Sequence, residues 1–154
     1  MKLISHRGNI NGKNISEENN PEKILHCISL GYDVEIDIWN INEKFYLGHD
    51  EPQYEINKQF LLNKKLWCHA KNLNALKSML KLKEVNCFWH QNDDYTLTSA
   101  GFIWVFPNKP LIKNCVAIVD DNTIYSNKDL QQCYGICGDK IERYRQIYEK
   151  NNKK

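Results

Sequence analysis

The chain has 154 residues, 42% hydrophobic and 26% charged, with a formal net charge of +2. This is ordinary usage for one folded unit and excludes a disordered, collagen-like or coiled-coil chain. The balanced charge, with arginine only at Arg7, Arg143 and Arg145, argues against a nucleic-acid-binding surface, although lysines gather between Lys58 and Lys83 and at Lys150, Lys153 and Lys154.

No apolar stretch approaches the ~18 residues of a membrane span. The start, Met-Lys-Leu-Ile-Ser-His-Arg, turns polar too early for a signal peptide, so a cytoplasmic protein without a membrane span is expected. Cys27, Cys68, Cys87, Cys115, Cys133 and Cys137 lie singly inside apolar runs. They read as reduced core residues in a chain that does not need disulfides.

In chain order, Lys2 to Ser5 reads as a buried strand that breaks at His6-Arg7-Gly8, followed by a polar loop. Asn20-Pro21 caps a helix with Ile24, Leu25 and Ile28 on one face, ending at Leu30-Gly31. Asp33 to Trp39 alternates strictly and is the clearest strand. Phe45 to Gly48 follows as a short strand before His49-Asp50. Ile56, Phe60 and Leu61 then predict a helix over 55–64. Leu66 to Ala70 is the next strand, with Leu73, Leu76 and Leu80 marking the helix after it.

Beyond Lys83, the short apolar runs Val85 to Trp89, Gly101 to Phe106, Cys115 to Val119 and Tyr134 to Ile136 have little helix between them. A helix with Ile141, Tyr144 and Tyr148 in register finishes the chain. Strands alternating with helices predict a parallel sheet whose working edge is at the strand C-termini. Eight complete units need ~250 residues. The expected fold is therefore a single α/β domain over residues 1–154, a reduced (β/α) barrel of the TIM type whose later repeats lack full helices.

In the Asp33 to Trp39 strand, Val34, Ile36 and Ile38 share one face, and Asp33, Glu35, Asp37 and Trp39 share the other. Carboxylates on an enclosed face are costly unless a cation or several hydrogen bonds compensate them. A solvent-exposed face is the alternative, but flanking helices argue that both faces are covered. His6-Arg7-Gly8 and His49-Asp50 fall at the ends of neighbouring strands, where functional groups collect in parallel α/β folds.

These residues resemble the glycerophosphodiester phosphodiesterases, part of a superfamily of phosphodiester-cleaving barrels that includes phosphatidylinositol-specific phospholipases. The resemblance rests on His6-Arg7-Gly8, Glu18-Asn19-Asn20 where the family has Glu-Asn-Thr, Gly31-Tyr32-Asp33-Val34, Glu35-Ile36-Asp37 and His49-Asp50. It covers residues 3 to 50, with echoes to residue 71 and at Tyr134 to Asp139, where a Thr-Asp or Ser-Asp pair is usual.

The resemblance implies a metal-dependent phosphodiester hydrolase acting on a small-molecule glycerophosphodiester. Glu35 and Asp37 would ligate Mg²⁺ or Ca²⁺, while His6 and His49 would act as general acid and base. Arg7 and Lys71 would bind phosphate. The family's third carboxylate ligand is replaced by His69, which either joins a donor set that also admits Mn²⁺ or Zn²⁺ or merely fills space. Glu18, Asp50, Trp89 and His90 are further candidates for the pocket, although Phe88 to Asp93 also reads as a simple polar turn. A lyase of the same superfamily that stops at a cyclic phosphate, and a non-catalytic phosphate- or metal-binding module, are the competing readings. Uncovered strand edges leave pairing with a second copy, a homo-oligomer, open.

Overall fold

The computed structural model describes residues 1–151. Lys153 and Lys154 of the lysine-rich tail lie outside the described residues. Among those described, ten strands form one mostly parallel sheet and five α-helices accompany it, giving a mixed α/β fold.

Strand β1 (Lys2–His6) leads through a polar loop to α1 (Pro21–Ser29). The Asn20 side chain accepts hydrogen bonds from the Glu22 and Lys23 amides, and Pro21 has no amide to leave unpaired. The helix buries Ile24 and Cys27, while Leu25 is half exposed, so the inward stripe sits one residue round from the expected one.

Strand β2 (Asp33–Ile41) runs parallel to β1 and continues through a turn at Asn42 and Glu43, both at positive φ, into antiparallel β3 (Lys44–Leu47). Two-residue turns with both centres at positive φ match the twist of a hairpin. The helix expected over 55–64 is instead split. Tyr54–Ile56 forms β4 against β3, and only Lys58–Leu61 is helical, as α2. The Asn57 side chain accepts from the Phe60 amide and starts a new element, so Ile56 belongs to a hairpin edge.

Strand β5 (Leu66–Ala70) pairs with β2 in parallel, and α3 (Leu73–Leu80) packs behind. That helix buries Ala75 and Met79, whereas Leu73 and Leu80 are exposed, because the small Ala75 lets the backbone approach the sheet. The thin second half contains β6 (Cys87–Phe88), β7 (Tyr95–Leu97), β8 (Ile103–Val105), β9 (Val116–Val119) and β10 (Gly135–Gly138). One turn of helix, α4 (Asn127–Leu130), precedes β10, and α5 (Ile141–Asn151) follows it. Neither β4, β7 nor α4 is apparent from apolar periodicity, since each is three or four residues long.

The parallel strands run β6-β5-β2-β1-β10-β9-β8, with β7 antiparallel on β8. Alternation then sorts the side chains into two clusters. The larger lies between sheet and helices and includes Val34, Ile36, Ile38, Cys68, Ala117 and Ile136. The smaller, Ile4, Trp67, Phe88, Trp104, Val116 and Cys137, comes from six strands on the opposite face. Glu35, Asp37 and His69 share that opposite face with Trp67, toward the C-terminal ends of β2 and β5. The expectation that β2 turns its aliphatic side to the helices and its carboxylates to a second enclosed face therefore holds, with Glu35 and Asp37 2% and 0% exposed.

All six cysteines are buried and unbridged. Cys115 and Cys133 sit with their sulfurs 3.6 Å apart, in contact without a bond. Among the described residues no helix is long and apolar enough to cross a membrane.

Candidate active site

The C-terminal edge of the sheet opens onto a cavity of about 610 Å³. His6, Arg7, Glu35, His49, His69 and Lys71 line one side of it. They come from the ends of four strands, His6 and Arg7 from β1, Glu35 from β2, His49 after β3, and His69 and Lys71 from β5, the placement that parallel α/β folds give to reacting groups. His6 is the last residue of β1, and the Arg7 amide extends the ladder by donating to the Glu35 carbonyl at 2.9 Å. Arg7 then takes φ +54°, a left-handed conformation that non-glycine residues hold only when their surroundings fix it. What fixes it is a set of ion pairs: Nη1 to Glu18 Oε2 at 3.1 Å and Nε to Asp37 Oδ2 at 2.9 Å. His49 follows Gly48, whose φ of +151° and whose Cβ position, 2.0 Å from the Glu51 carbonyl oxygen, admit no side chain. The Gly48 carbonyl also accepts from the Trp39 indole at 2.7 Å.

Asp37 is the hub of the cluster. Besides Arg7, its carboxylate has His69 Nδ1 at 3.1 Å, His49 Nδ1 at 3.3 Å and Lys71 Nζ at 3.6 Å. Asn19 brackets it, donating from Nδ2 to Oδ2 and accepting the Asp37 amide, both at 2.9 Å. Burial alone would raise its pKa, but His49, His69 and Arg7 outweigh burial and hold it well below the usual carboxylate range. Glu35 moves the other way, because burial and the neighbouring Asp37 charge raise it more than His6, Arg7 and His69 lower it.

The donor set that could hold a metal ion is Glu35, Asp37 and His69, whose ligand atoms lie within 4.8 Å of one another. Three observations fit it to a cation. Glu35 Oε2 and Asp37 Oδ1 are buried without a hydrogen-bond partner, and such atoms are costly unless a cation satisfies them. His69 Nε2 lies 3.1 Å from the His90 carbonyl, which can only accept, so the ring proton sits on Nε2. Nδ1 faces Asp37 Oδ1 and Glu35 Oε1, at 3.1 and 3.7 Å, and would give its lone pair to a cation held between them. A histidine whose far nitrogen is anchored to a carbonyl is the usual partner arrangement of a metal ligand. Two carboxylates and an imidazole suit Mg²⁺, Mn²⁺ or Zn²⁺ by donor type.

The two remaining histidines differ. His49 Nε2 lies 3.4 Å from Arg7 Nη2, a group that can only donate, while Nδ1 lies 3.3 Å from Asp37 Oδ2 and 3.2 Å from Lys71 Nζ. His6 Nδ1 is 2.8 Å from Asp139 Oδ1, and its Nε2 is 3.8 Å from Glu35 Oε2. Burial lowers the His6 pKa, yet the Asp139 bond and the Glu35 charge outweigh it and the net shift is upward. Asp139 is lowered in turn: burial opposes ionisation, but the bonds from His6 and Asn9 prevail.

A folded-state value above the unfolded one stabilises the fold fully below pH ~6.5, with the contribution lost as pH rises through the folded value. Asp139→Asn should therefore lower the His6 pKa, read by NMR titration of the imidazole in chelator. It should also flatten the stability decline just above pH ~6.5. An unshifted His6 titration in that variant would show that Asp139 does not set its charge.

Of the pocket candidates, Trp89 and His90 line the cavity. His90 also bonds the Thr96 hydroxyl at 3.2 Å, and its pKa is lowered by burial and by His69. Glu18 and Asp50 do not line the cavity. Glu18 is buried behind Arg7, accepting from it and from Asn9, so it holds the arginine in place. Asp50 projects from the loop after β3 with its side chain 93% exposed. Sequence reasoning passed over Asp139, Asn9 and Asn19 as site residues. Asp139 ends the Gly-Asp step after β10, where an acidic residue on a closing parallel strand was the available signal.

No family model matches the chain, and no curated protein matches it.

Proposed function

We propose that the chain is a metal-dependent phosphodiester hydrolase, built as a reduced (β/α) barrel and related to the glycerophosphodiester phosphodiesterases. The observation that carries the reading is the meeting, on one cavity, of a Glu35-Asp37-His69 donor set with His6 and His49. The ordered motifs His6-Arg7-Gly8, Glu35-Ile36-Asp37 and His49-Asp50 support it. The barrel reading draws on the parallel order β6-β5-β2-β1-β10-β9-β8 and on the Phe88–Trp104 ring contact, 4.9 Å between centroids, across the remaining gap between β6 and β8.

Phosphodiesters resist hydrolysis because the phosphate is anionic and the alkoxide leaves poorly. A bound cation would neutralise charge that develops on the phosphate oxygens. Arg7 and Lys71 add positive charge at the same end of the cavity. His49, whose Nε2 faces the donor-only Arg7 guanidinium, is the base for the attacking hydroxyl or water. His6, whose pKa is raised, is the acid that delivers a proton to the leaving oxygen.

The test is a screen of phosphodiesters against several divalent ions, with phosphorus NMR of the products. A glycerophosphodiester should give a phosphomonoester and an alcohol, and excess chelator should abolish turnover. A product that stops at the cyclic phosphate would make the protein a lyase. Tight metal-dependent phosphate binding without turnover would make it a binding module.

A further inference from the structure

The cavity has two chemically distinct halves, and only one is used by the phosphate chemistry. Starting where Phe88 stacks on His69, 5.1 Å between ring centroids, Phe88, Trp89, Trp104, Phe106, Pro107 and Ile118 form an apolar wall. It begins on the floor, where Phe88 and Trp104 are 3% and 4% exposed, and reaches the rim at Phe106, 46% exposed.

A cationic head group would also favour aromatic rings, but it requires a carboxylate free to face it. The lining carboxylates are Glu35, Asp120 and Asp139. Glu35 belongs to the donor set. Asp139 is engaged by His6 and Asn9, and Asp120 accepts from the Asn122 amide and the Thr123 hydroxyl of its own turn. Lys71 at this boundary is basic and would repel an ammonium group, and His90, whose pKa is lowered, has no negative charge to attract one.

We infer that the second half of the cavity binds an apolar chain, so that the substrate class is a single-chain acyl glycerophosphodiester whose acyl group lies along β6, β8 and the lip after β8. This rests on the phosphodiester reading for the phosphate end, while the apolar subsite stands on the wall alone. A chain, unlike a compact aromatic group, can follow the wall past Phe106 to the surface.

The experiment is a series of 1-acyl glycerophosphoglycerols from acetyl to decanoyl, kept below their micelle concentrations. Binding is read by calorimetry and turnover in parallel. Affinity should rise by about threefold per methylene over the first several carbons, as burial of apolar surface dictates. Phe106→Ser, at a half-exposed rim position that does not threaten folding, should shrink the decanoyl-to-acetyl affinity ratio by about tenfold. A flat affinity series, or an unchanged ratio in Phe106→Ser, overturns the apolar subsite even if every compound is hydrolysed. Chain-length-dependent binding with no turnover of any member keeps the subsite and removes the hydrolase reading.

Discussion

Replacing Asp37 with alanine is expected to abolish divalent-cation binding and turnover together, and to destabilise the fold by about 3–5 kcal/mol. The size follows from what surrounds the carboxylate. Arg7, His49, His69 and Lys71 all approach within 3.6 Å, and Asp37 itself is fully buried. Without it, the Arg7 guanidinium keeps, among the described residues, only Glu18 as a carboxylate within ion-pair distance, and His49 Nδ1 loses its carboxylate neighbour. The loss appears as a lower urea midpoint with unchanged slope, and calorimetry with Mg²⁺ or Mn²⁺ reads the cation. Glu35→Ala makes a useful contrast. Glu35 has one donor set to serve and its carboxyl already resists ionisation, so its removal should cost cation affinity with a smaller stability penalty. If Asp37→Ala folded as well as the parent and retained cation binding, Asp37 could not be the hub that the ion pairs describe.

How much of this was legible in the sequence depended on length scale. The alternation in Asp33 to Trp39 gave β2, and with it both candidate carboxylate ligands, because period-two patterning needs only neighbours in the chain. Asn20-Pro21 likewise fixed the start of α1. Contacts made across the sheet left no such trace. Nothing local to Asp139 announces that it will lie 2.8 Å from His6, 133 positions away, and nothing in Glu18 reveals that it faces Arg7 behind the cavity wall. The helix expected over 55–64 failed because apolar residues at helical spacing also suit a hairpin edge followed by one helical turn, and the Asn57 cap decided between them. Leucines at 73 and 80 misled in the same way: packing against β2 selected Ala75 and Met79 as the inward face, since a helix approaches a sheet most closely through its small residues. Short elements such as β7 and α4 carry too few residues for any period to register.

The second large effect separates the two histidines. His49→Ala should retain the cation, because His49 is outside the Glu35-Asp37-His69 set, and should keep the fold, because its side chain is 37% exposed. Turnover should fall by ~10²–10⁴, the usual worth of a positioned base. His6→Ala should lose a comparable factor on an alkyl diester for the opposite reason, since an alkoxide leaves poorly without a proton. The leaving group tells them apart. A nitrophenolate departs without protonation, so on a nitrophenyl diester His6→Ala should recover most of its rate, while His49→Ala should remain slow. Added imidazole, which can enter the open cavity, should restore part of the His49→Ala activity with a dependence on the unprotonated form. Equal sensitivity of both variants to the leaving group would contradict the assignment of His49 as base and His6 as acid. It would leave the Asp139 contact as an anchor for the His6 ring and nothing more.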